Sequence, residues 1–271
     1  MHQGVLQQIG WRHGEEVLRS LVHGLLDGKP GADDATFAPN RGRAAKLFRE
    51  VTLGEPSLPA SLALLQELRR ASADGAAEAI GKRLDAGMGL QAILDGLRLH
   101  AADLIQRAPG ILSVHALTSI HALRFCAEHT RVESTRKLLL LQAASWQVRY
   151  REFLGSRSGF AADLPGIETL APAGTGDAAK VFATAGEAPL RAGPLALRAA
   201  ADGGLLPLQQ QLRHWLVRKA REHHDYKFAA ALIEEMDLAH PEVAARMLAA
   251  SLGFLCRPGQ PDGESWQAAT A

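Results

Sequence analysis

The strongest constraint on the fold is the spacing of apolar residues between Leu90 and His129. Ile93, Leu97, His100 and Leu104 recur at intervals of four, three and four, which places them on one face of an α-helix. After Pro109-Gly110, the stretch Ile111–His129 is apolar nearly all round and reads as a buried central helix. Glu15–Leu26 carries an amphipathic stripe of Val17, Leu18, Leu21, Val22, Leu25 and Leu26. Ala, Leu and Arg are abundant, and β-branched residues never alternate over a long run, which argues against strands. The expected fold is all-α: a multi-helix array around one core, with a Pro/Gly-rich excursion in the middle. No repeat of fixed period points to a solenoid.

Breakers divide the chain. Asp27–Gly42 reads as a loop because Gly28, Pro30, Gly31, Pro39 and Gly42 interrupt any period. Helices are expected over Ala44–Val51, Ser61–Ala73, Asp74–Ala86 and Val132–Leu154. Residues 1–154 form an N-terminal helical half. Residues 155–204, punctured by Pro165, Pro172, Pro189 and Pro194, form a loop, lid or linker, with short helices expected over Asp177–Ala185 and Leu195–Ala201. Residues 205–257 complete the same core with Leu205–Arg221 and Asp225–Ala239, two helices or one bent one, and with a last helix opened by Pro241. Residues 258–271 are a polar tail expected to lack structure.

Composition removes several function classes. Lys+Arg number 30 against 29 Asp+Glu, a net charge of +1, so no basic excess favours nucleic acid. The two cysteines, Cys126 and Cys256, form no disulfide framework and no zinc module. The opening MHQGVLQQIGWRHGEE has no signal-peptide apolar region, and no long charge-free apolar stretch suggests a membrane span, so a cytoplasmic location is expected. The chain lacks GxSxG, P-loop, GxGxxG and HExxH motifs.

Eleven histidines are the unusual feature. His100 shares its face with Ile93, Leu97 and Leu104 and points into the core, where each ring nitrogen needs a partner. His115 and His121 lie six residues apart, about 240° around the helix, so only one of them can join a site with His100. Ser119, one turn after His115, either orients its ring or bonds back to the helix. In EHHDYKFAAALIEE, His223 and His224 are both within reach of Lys227. His224 shares a stripe with Phe228 and Ala231. Lys227, set against alanines, is a base, a metal ligand or a snorkelling surface residue. Asp225 caps the helix or orients a histidine. His13 borders the first apolar stripe. His23 reads as solvated, and His129, His214 and His240 as surface or cap residues.

A histidine beside the first helix, a second on a long helix, then HALTSIHALR and HDYK together resemble the questin oxidase-like family. The four patches cover about a fifth of the chain. The resemblance implies a helical protein with histidine-bound non-haem Fe(II), zinc and manganese being alternatives. It implies an oxidoreductase that acts on a hydrophobic, polycyclic aromatic small molecule with dioxygen. Carried over patch by patch, His13, His100, His115 and His224 would be metal ligands, with Lys227 as a fifth ligand or a catalytic base. His23 is an alternative to His13, and His121 to His115. No nucleic-acid or membrane partner is expected, and a homodimer is left open.

Two other readings compete. In a non-catalytic helical binding protein the histidines would be core residues, each bonded to the backbone or a neighbour. In an HD-type metal-dependent hydrolase His224-Asp225 would need Asp237 at the same point.

Overall fold

The computed structural model of the chain describes residues 10–27, 35–257 and 259–270. Several side chains near the N-terminus, that of His13 among them, lie outside the described residues. After a 3-10 turn at Trp11–His13 come α1 (Gly14–Asp27), α2 (Phe37–Ala44), α3 (Leu58–Leu68) and α4 (Ala73–Asp85). They are followed by α5 (Leu90–Arg107), α6 (Ile111–His129) and α7 (Glu133–Gly155). The second part holds α8 (Ala178–Ala185), α9 (Pro189–Gly203), α10 (Leu206–Lys219), α11 (His223–Leu238), α12 (Pro241–Leu255) and α13 (Glu264–Thr270). No strand occurs among the described residues, so the fold is all-α, with its helices packed around one apolar core.

Four helices form the centre. α5 packs on α6, α6 on α11, α11 on α12, and α12 returns to α5. α3 and α7 cover one side of this ring, with α4 and α2 outside them; α9 and α8 cover α12 on the other. Contacts at the helix ends give the directions. His240 Nα, just before α12, donates to Asp95 near the start of α5, and Gly253 near the end of α12 approaches Pro109 just after α5. α5 and α12 therefore run together. α6 and α11 run the opposite way and begin at the end where the other two finish.

The termini follow local chemistry. Proline at the first turn of α12 lacks an N–H that would have no helical acceptor in any case. His240 caps that helix, its Nδ1 accepting from Glu242 N at 3.2 Å. Asp177 caps α8 through the N–H groups of Ala179 and Lys180.

Several expectations need correction. The segment around Pro39 is α2, while the residues after Lys46, expected to be helical, are not. Pro39 falls in the first turn of α2, where it costs no hydrogen bond. The helix is held from outside itself: buried Asn40 donates to Gln142 and Ser145 of α7 at 3.0 and 2.9 Å. The region 155–204 contains α8 and a longer α9 than expected, and Val181, Phe182, Ala192 and Ala196 of these helices are core residues. Of the two readings of the 205–239 region, two separate helices are what forms, as α10 and α11. The tail is structured as well: Asp262 pairs with Arg218 and Lys219, Lys219 reaches the Gln260 carbonyl, and α13 follows. No helix among the described residues is long and apolar enough to cross a membrane.

Candidate metal centre at the start of α6 and α11

Asp225 sets the first turn of α11. Its carboxylate accepts from the N–H of Arg221 at 3.0 Å and of Glu222 at 3.5 Å, and its other oxygen pairs with Arg257 at 3.2 Å. Of the two roles open to Asp225, capping is the one the structure shows. Phe228, Ala231 and Leu232 bury the inner face of the helix, with the Phe228 ring edge-on to Phe254 of α12. This anchoring fixes where the two preceding histidines stand.

His224 is half-buried and meets His115 of α6, their ring centroids 5.7 Å apart and nearly perpendicular. The His223 ring lies 4.0 Å from that of His224. Donor atoms of Glu222, His223 and His224 all fall within 4.8 Å of one another. His224 Nδ1 is closed off from solvent and has no hydrogen-bond partner; the nearest carboxylate oxygen, from Glu222, is 3.5 Å away. Burial lowers the pKa of His115, and its neighbours Lys227 and His224 lower it further. These influences favour the neutral imidazole, the form that can ligate a metal. Lys227 is partly buried beside it.

His100 belongs to a different neighbourhood. It is 1% exposed. Its Nδ1 lies 3.3 Å from Gln147 Oε1. Gln147 Nε2 donates to the Ala116 carbonyl at 2.8 Å, which identifies Oε1 as an acceptor and His100 Nδ1 as the proton-bearing nitrogen. Nε2 is left as a buried acceptor without a partner. Burial pushes the His100 pKa down to about 4. The charges acting on it are Asp103, Arg151 and Arg69, none of which acts on His115.

His121 also faces α11, further along. Its Nδ1 lies 3.0 Å from Glu235 Oε1, in a buried cluster where Glu235 also accepts from Arg98 and Arg124. Arg98 in turn pairs with Asp95 at 2.8 Å. Burial alone would raise the Glu235 pKa. The His121 hydrogen bond and the charges of Arg98 and Arg124 overcome that and hold it at about 2.

Of the residues singled out by sequence, the structure gathers His115, His224 and Lys227, separates His100 and His121 from them, and leaves the His13 side chain outside its description. Ser119 does not orient His115: its hydroxyl donates to the His115 backbone carbonyl at 2.6 Å and meets Tyr150 at 3.0 Å. Asp237 accepts from Gln209 and stands thirteen residues after His224, about 20 Å along the helix. It does not supply the aspartate that an HD-type site requires. Sequence reasoning passed over Glu222 and Glu235. The signals were there: Glu222 opens the EHHD run, and Glu235 continues the stripe of Phe228 and Leu232. Comparison with family models, curated proteins and solved structures found no match.

Proposed function

We propose that the chain is a metal-dependent oxidoreductase acting on a hydrophobic small molecule. The metal, Fe(II) in this reading, would be held by His115, His224, His223 and Glu222. The observation that carries it is the buried, unpartnered Nδ1 of His224, clustered with donor atoms of His223 and Glu222 and with the His115 ring edge-on beside it. Leaving such a nitrogen unpaired is costly unless something occupies its lone pair. Imidazole and carboxylate together suit Fe(II), Mn(II) and Zn(II). The preference for redox iron, and for dioxygen as co-substrate, rests on the resemblance to the questin oxidase-like family. When bound, iron supplies electron exchange with dioxygen.

The remaining tasks fall to the chain. Burial and Lys227 lower the proton affinity of His115, which favours the form that can bind a metal. Asp225 and Arg257 hold the first turn of α11, and with it His223 and His224. Lys227, partly buried beside His115, would be the nearest side chain able to exchange a proton with substrate.

The test is elemental analysis after anaerobic loading with Fe(II). Near-stoichiometric iron is expected in the natural chain and in His100→Leu, with loss in folded His224→Ala. Equal iron in His224→Ala would remove the site. Loss in His100→Leu alone would move it to the core.

A second reading, a non-catalytic binding protein, draws on the structural work of other histidines. His240 caps α12, His121 bonds Glu235, and His129 bonds the Phe125 carbonyl. It is the outcome if neither form holds metal.

A further inference from the structure

At the same end of the molecule, across the last turns of α12, lies a cavity of about 340 Å³. The end of α5 forms one wall with Ile105, Gln106 and Pro109. Ala249, Ala250 and Gly253 of α12 form another, and residues 164–166 and 169–173 with the first turns of α9 close the rest. The size falls within the range of small-ligand sites, roughly 300–1,000 Å³. No charged side chain lines it among the described residues, so a charged ligand would be buried there without a partner.

The walls are stiff and bare. Pro109, Pro165, Pro172, Pro189 and Pro194 restrict the backbone around the opening. Gly193 and Gly253 keep side chains out of it: a Cβ at 193 would come 3.3 Å from Leu170, and one at 253 would come 3.4 Å from Pro109. A rigid apolar hollow of this kind forfeits packing energy until something fills it.

One acceptor in the walls lacks a donor. Gln106 Nε2 donates to the Pro165 carbonyl at 3.1 Å, which fixes the amide and leaves Oε1 buried with no partner. We infer that this cavity binds an uncharged, apolar small molecule bearing a single N–H or O–H donor. The inference does not depend on the metal reading.

The test uses a matched pair of fluorescent probes on the full chain. N-phenyl-1-naphthylamine is neutral and has one N–H; 1-anilinonaphthalene-8-sulfonate is the same skeleton with a sulfonate. Saturable one-to-one enhancement is expected with the first, and binding at least about tenfold weaker with the second. Gly193→Leu should fill the cavity and weaken the neutral probe about tenfold or more. Leu190→Trp, at a residue 68% exposed on the rim, does the same without entering the core, should the glycine variant fail to fold. Gln106→Leu should weaken it severalfold. His224→Ala should leave it unchanged, which separates this site from the histidine cluster. Equal affinity for the two probes, or an unchanged neutral probe in folded Leu190→Trp, would overturn the assignment.

Discussion

His100 shows how one buried group carries a pH signature. Its proton affinity is depressed to about 4 in the folded chain, against 6.5 for the free side chain. As pH falls through the interval from 6.5 to 4, the unfolded chain takes up a proton that the folded chain refuses. Stability is therefore full above 6.5 and falls with acid across that window, by about 3 kcal/mol for a shift of this size. His100→Leu removes the group. It should change stability near pH 7 by less than about 1 kcal/mol, because Gln147 Oε1 loses its donor while an orphaned Nε2 disappears. Near pH 5 it should be more stable than the natural chain. Denaturant melts at the two pH values measure this directly, and parallel loss in both proteins would assign the acid sensitivity elsewhere.

Helix ends and docking contacts fix where the elements sit. α11 depends on the Asp225 carboxylate, which holds two backbone N–H groups and Arg257. Asp225→Ala should cost about 1–2 kcal/mol, seen as a melting temperature lower by several degrees. It should also loosen the first turn and lower metal affinity where a surface substitution would not. α2 has little apolar content of its own and depends on Asn40, which is fully buried against Gln142 and Ser145. Asn40→Leu would leave those partners short of a donor and overfill the contact, costing about 2 kcal/mol or more. A variant as stable as the natural chain in urea would show that α2 docks by other means.

Across the molecule, the buried cluster of Arg98, Glu235, Arg124 and His121 ties α5, α6 and α11 together in the middle of the bundle. Removing its acid leaves buried Arg98 with Asp95 alone and Arg124 with Glu128 alone. Glu235→Leu should therefore cost about 3–5 kcal/mol, more than any of the changes above. The sign with pH differs from that of His100. The Glu235 carboxylate has its pKa lowered to about 2, so its contribution is complete above 4.5 and is lost as pH falls toward 2. Acid unfolding should accordingly show a first loss between pH 6.5 and 4, removed by His100→Leu, and a second below 4.5, removed in the Glu235 variant.

The helices of the central bundle could be read from local spacing, because burying one face imposes the same three-and-four interval wherever a helix meets a core. α5, α6 and α12 were legible for that reason, as was the cap role of His240 before Pro241. α2 was not: its residues offer two breakers and little apolar periodicity, and contacts with α7 just over a hundred residues away hold it in place. The same division runs through the candidate site. His100, His224 and Glu235 each continue an apolar stripe, and that stripe points the two histidines inward; Glu235 carries the same signal but was passed over. Which of them meet depends on how α5, α6 and α11 are aligned and rotated against one another. That packing puts His224 on His115, Glu235 between two arginines and His100 on Gln147. Periodicity along one helix shows which way a side chain points; only contact between helices supplies its partner.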